Sequence, residues 1–227
     1  MSTTNSPVSG PSRHVWILAA LLVNAALACG QRFEITPLVG GRVGGSIDVQ
    51  HEDQPPQARA RLADSVTFGV AAGVRFYDDT GCEDCSVVEF RWMRQNTSLG
   101  FKQATPVPTP LTTFGRTDVT LDHYLADFTY EWRLNETKAV RPFVFASLGA
   151  ARLSSPVSGQ TRFTFGFGTG VKIFPQPHWG IRFHVEYLPM VMQSEVQRVA
   201  CVGGCVVALG GGVMNQFEFG VGPVFRF

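Results

Sequence analysis

Nowhere in the 227 residues do lysines or arginines gather into a run. Nineteen basic residues against eighteen acidic ones leave a formal net charge of +1, and no basic stripe is available to track a phosphate backbone. No nucleic-acid partner is expected. Long apolar stretches are equally scarce. Beyond residue 28 none reaches the roughly 18 residues of a membrane helix, so any passage through a bilayer has to be made by strands.

The one sustained apolar run lies at the start. Arg13 and His14 precede residues 15–28, an apolar run interrupted only by Asn24, which closes on Ala26, Leu27 and Ala28. A basic lead, an apolar segment too short to span and a small-x-small end together read as an export signal. Residues 1–28 are thus set aside as a removed leader, and residues 29–227 have the length of a single domain. A second reading makes Cys29 the acylated first residue of a lipoprotein. Against it, such signals usually carry Leu three places before the Cys and a small residue two places before, whereas here Ala26 and Leu27 stand there.

What the rest of the chain has is alternation. The closing stretch puts Phe217, Phe219, Val221, Phe225 and Phe227 on one face and Glu218, Gly220, Gly222 and Arg226 on the other. Strand side chains point to opposite faces at period two, so this is a strand with an aromatic outside and a small or charged inside. Seven more segments alternate in the same way: residues 33–49, 65–77, 86–99, 117–134, 139–153, 161–174 and 179–188. Two of them leave the phase open. Around Leu121 and His123 either face fits. In 139–153, placing Val144, Ala146, Leu148 and Ala150 outward sends Phe143 and Phe145 inward, unless a bulge resets the phase.

The links alternate too. Those after the first, third and seventh strands are long and polar or Pro-rich, and those after the fourth and sixth are tight. Short periplasmic turns alternating with longer outer loops, with both chain ends on the periplasmic side, is the pattern of an even-stranded outer-membrane barrel. The stretched turn at 78–85 and the short outer link near 154–160 depart from it.

With Phe33-Glu-Ile-Thr-Pro-Leu-Val-Gly-Gly41, Val140-Arg-Pro-Phe-Val144, Gly180-Ile-Arg-Phe-His184 and Val224-Phe-Arg-Phe227 in this order, the mature chain resembles the small OmpA/OmpX-like outer-membrane β-barrel proteins. The resemblance implies an all-β fold, an eight-stranded antiparallel up-and-down transmembrane barrel in the outer membrane of a Gram-negative-type bacterium. It also implies a monomeric or weakly associating protein surrounded by membrane lipid. Insertion would be by the barrel assembly machinery, which reads an aromatic C-terminal strand, here Phe225 and Phe227. No single activity and no cofactor are implied.

If the aromatic faces meet lipid, the lumen receives Glu34, Glu89, Asp127, Glu131, Glu186 and Glu218 together with Arg42, Arg75, Arg91, Arg133, Arg182 and Arg226. A base facing hydrocarbon near the midplane costs about 2–4 kcal/mol, so these charges belong inside. An eight-stranded barrel has room only for side chains, and Arg forks on carboxylates make a structural plug. Glycines on the same face would leave space for the long arginines. A narrow gated pore is the alternative, should the same groups re-pair to open a path. Trp92, Tyr130, Trp132, Trp179 and Tyr187 are expected as an aromatic girdle toward one rim.

Cys82, Cys85, Cys201 and Cys205 form two close pairs, and in an exported protein each reads as a local disulfide stapling a loop. A redox dithiol is disfavoured by Glu83 and Asp84 between the first pair. A shared zinc is excluded by topology, which separates the pairs by a membrane thickness, so no metal site is expected. His184 with Glu186, or His123, would need a nearby serine to make a lipid-modifying enzyme, and no register groups one with either histidine. No catalytic residue is assigned. Three roles remain: a structural barrel that shows its outer loops, above all residues 193–212, to an extracellular partner; a small-solute channel; and a lipid-modifying enzyme. A soluble lipocalin-like binder would need the two faces reversed.

Overall fold

The computed structural model describes residues 32–49, 58–76, 84–103, 117–134, 139–155, 159–192, 197–200, 206–209 and 212–227. Its strands are β1 (Arg32–Gly44), β2 (Ser46–Val49), β3 (Ala58–Leu62), β4 (Ser65–Phe76), β5 (Asp84–Gln103), β6 (Thr117–Trp132), β7 (Val140–Ser154), β8 (Gly159–Gln176), β9 (Trp179–Met192), β10 (Gln197–Ala200), β11 (Val206–Leu209) and β12 (Gly212–Arg226). Eight of them, β1, β4, β5, β6, β7, β8, β9 and β12, form a closed antiparallel ring in which β12 returns to β1. The leader (1–28), Cys29, Cys82, Cys201 and Cys205 lie outside the described residues.

Closure fixes the dimensions. Cα partners followed round the ring from Arg32 through Arg75, Val87, Thr129, Phe145, Gly168, Glu186 and Glu218 lead back to β1 at Arg42, ten residues further on. With ~3.3 Å per residue and ~4.8 Å between strands, this stagger gives a tilt of about 40° and a radius of about 8 Å. The bore is therefore one that side chains fill.

The first strand of the sequence reading, residues 33–49, is two strands. Pairing of β1 with β4 runs on in the same register into β2 with β3, as Arg42↔Ser65 and Ser46↔Arg61 show, so the hairpin continues past the ring. At the break Gly44 and Gly45 both have φ near +90°, a region that favours glycine. Opposite them, the inward face shifts from the odd residues of β4 to Leu62, which turns into the barrel.

The exterior is a belt of exposed apolar side chains, among them Val66, Phe90, Phe128, Phe163, Phe167, Phe183 and Phe219. Exposed Leu and Phe scattered singly are ordinary, but a continuous apolar ring round a barrel is a lipid-facing surface. The aromatic girdle is double where one rim was expected. Tyr130, Trp132 and Trp179 stand near the turn-side ends of their strands, while Trp92, Tyr124 and Tyr187 stand some eight residues up theirs. Aromatics are favoured at both interfaces because each ring has an apolar body and a polar tip.

β7 needs no bulge. Its pairing is continuous with β6 and with β8, and Phe143 and Phe145 are buried inside the ring. The irregularity lies instead between β8 and β9, at Ile173/Gln176.

Candidate functional site

Four tiers of side chains fill the lumen from the turn side upward. In the lowest, Glu34 receives Lys172 Nζ at 2.7 Å, Arg226 Nε at 2.7 Å and the Arg75 guanidinium. Arg75 Nη2 also reaches Glu131 Oε2 at 2.8 Å, and Lys172 lies 2.5 Å from Glu131 Oε1. Lys172 is fully buried and is the cation that a count of six acids against six arginines leaves out. Arg133, placed in the lumen network by alternation, sits just past the end of β6 and is only half-buried there, beyond the packed tier.

The next tier mixes ions with rings. Arg182 Nη1 donates to Glu89 Oε2 at 2.7 Å, and its guanidinium lies 4.9 Å from the Phe143 centroid and 5.6 Å from that of Phe145. Arg91 sits 5.3 Å from the Phe145 ring. Cations over aromatic faces are stabilised by the ring quadrupole, more so when both are out of water. Glycines supply the space, but for different occupants than expected. A β-carbon on Gly168 or Gly170 would run into the rings of Phe145 or Phe143, and one on Gly220 into His184, so these glycines accommodate rings and not arginine stems.

In the third tier Arg91 binds Asp127 through Nε at 2.8 Å and Glu186 through Nη2 at 2.7 Å. Arg42 is paired with Glu218, and its Nη1 donates to Gln95 Oε1 at 3.3 Å and to His123 Nδ1 at 2.8 Å. His123 therefore faces inward, with Leu121, which settles the open phase of β6. His184 Nε2 lies 3.5 Å from Arg91 and 3.7 Å from Glu218. Ser147 also joins this tier, donating to Glu186 at 2.7 Å and accepting from Arg91. Its hydroxyl is thus engaged by an acid, and among the described residues it bonds to neither histidine.

The top tier is apolar, where a wholly polar lumen was expected. Leu62, Leu99, Val119, Leu121, Ala151, Met190, Met192 and Met214 pack into one buried cluster, with Leu153 against it. All but Leu62 are on the inner face by alternation, a face whose apolar members the charges alone do not reveal.

Cys85 is buried at the turn-side end of β5 and disulfide-bonded, with Arg75 Nη1 3.3 Å from its sulfur. The described residues contain no group of three or more His, Cys, Asp or Glu arranged to hold a metal.

A closed eight-stranded meander with a greasy belt, two aromatic girdles and buried ion pairs defines a class: an integral β-barrel protein of the outer membrane. No protein-family model and no curated protein matches the sequence. Among solved structures the barrel is similar to neisserial surface protein A (NspA), at 15% identity over 86% of this chain and 97% of that one, with a TM-score of 0.53. It is likewise similar to the outer membrane protein OprG from Pseudomonas aeruginosa, at 10% identity over 87% of this chain and 96% of that one, with a TM-score of 0.56. At such identities the likeness is one of fold.

Proposed function

We propose that this barrel is a sealed structural element of the outer membrane that works through what it shows outside. The reading rests on one observation: every tier of the lumen is occupied, three by ion pairs and rings and the last by packed apolar side chains. An ion moving along the axis would have to break buried pairs and then cross an apolar plug about two residues thick, which repels water. Insertion by the assembly machinery through Phe225 and Phe227, and an extracellular partner for the outer links, belong to the same proposal. The link residues 50–57, 104–116 and most of 193–212 lie outside the described residues.

Planar-bilayer recording of the refolded mature protein tests it. The expected trace carries no stepwise current. Unitary steps that change size in Arg182→Gln or Glu186→Gln would replace the sealed barrel with a narrow gated channel. That second reading has its own support: Arg182 Nε and Nη2, His184 Nδ1 and Gln216 Oε1 are buried without a hydrogen-bond partner among the described residues, on the inner faces of the paired strands β9 and β12.

A further inference from the structure

A row of outward-facing charge crosses β5, β6 and β7, climbing about 3 Å per strand with the stagger of the barrel. Arg94, Asp122, Arg152 and Thr161 of β8 are consecutive Cα partners. Arg94 Nε and Nη2 fork onto Asp122 at 2.7 and 3.0 Å, and its guanidinium lies 5.4 Å from the Trp92 ring. The Asp122 side chain is 7% exposed but that of Arg94 is 40% exposed. Arg152, on the other side of Asp122, is exposed and has no ion pair among the described residues. Two cations thus flank one acid, which pairs with Arg94 alone, and the row keeps a net positive charge.

Its height is what gives it meaning. Asp122 is ten residues above Trp132 on the same strand, which at ~2.5 Å of axial rise per tilted residue is about 25 Å, the height of an outer-membrane apolar band. Between the turn-side ends of the strands and the row, no outward-facing described residue of the ring is charged. At the level of Asp122 the strands away from this sector show Val43, Val66 and Phe217, so the charge is confined to one sector. Under Arg152 the wall dips at Ala150, which the register sets between Tyr124 and Phe163.

We infer that this sector binds the phosphate-monoester headgroup of an outer-leaflet glycolipid. Arg152 and the open edge of Arg94 hold the phosphate, and an acyl chain runs down past Ala150. Charge complementarity selects an anion, and the position at the top of the belt selects one carried by a lipid.

The test uses the refolded full-length mature protein in phosphatidylcholine nanodiscs doped with diphosphoryl lipid A or with its dephosphorylated form, with bound glycolipid counted by native mass spectrometry. Retention of the diphosphoryl form should exceed that of the dephosphorylated form, and Arg152→Gln or Arg94→Gln should lower it about fivefold, the scale of one basic side chain at an anionic surface. Asp122→Asn should raise it, because the fork of Arg94 is released. A merely structural role for Asp122 would not produce that gain. Millimolar inorganic phosphate should not displace the lipid, since it lacks the chain. Equal retention of both lipid forms, unchanged retention in Arg152→Gln with heat-modifiable gel mobility intact, or displacement by inorganic phosphate would each overturn the inference.

Discussion

Phe145 of β7 lies opposite Gly168 of β8, and the phenyl ring occupies the space that a β-carbon at Gly168 would take. Two positions earlier on β7 and two later on β8, Phe143 and Gly170 repeat the arrangement. The two rings then carry Arg182 and Arg91 on their faces. Ring, glycine and guanidinium are one packing unit, assembled from β5, β7, β8 and β9.

Gly168→Val should therefore destabilise the barrel by about 1–3 kcal/mol, the usual range for forcing volume into a filled interior. Urea unfolding in detergent micelles measures it. Combining the substitution with Phe145→Ala should recover part of the loss, and failure of the pair to recover any would separate Gly168 from Phe145.

Glu218 neutralises Arg42 in a fully buried setting. Glu218→Gln leaves that guanidinium without its charge partner, so a loss of about 3–5 kcal/mol is expected in the same unfolding assay. The double change Arg42→Met with Glu218→Leu should cost much less than either single change, because no unpaired charge stays behind.

Phe128 faces lipid near the middle of the belt. Phe128→Arg should cost about 2–4 kcal/mol in a folding titration into bilayers, whereas Thr161→Arg, above the belt on β8, should stay within about 1 kcal/mol of wild type. Equal costs at both sites would contradict the placement of the bilayer.

Removal of Phe227, or Phe225→Asp, should leave refolding into detergent close to normal while lowering the amount of barrel inserted in cells. Fractionation of membranes followed by heat-modifiable gel mobility reads both. Normal insertion of both variants would remove the assembly role given to the two residues.

Much of the wall was legible residue by residue. The eight ring strands fall within a few residues of their alternating segments, because the facing of a strand side chain depends only on its place in a period of two. Glu34, Arg75, Arg91 and Glu218 are on the inner face for that reason alone. Phe143 and Phe145 were ambiguous because an aromatic reads as lipid-facing. What licenses them to point inward is glycine on β8, more than twenty residues on. Lys172 was on the right face, but its bond to Glu34, 138 residues away, exists only once β8 and β1 are brought into the same bore.

By itself, then, the order of residues determined which face of most strands meets lipid, how many strands make the ring and which side most charges turn to, since all of these follow from local periodicity. Closure decided the remainder. Joining β12 to β1 with a stagger of ten residues sets the heights at which inner side chains meet. Those heights pair Arg42 with Glu218, gather the methionines of β9 and β12 into an apolar plug, and divide the aromatics between two rims.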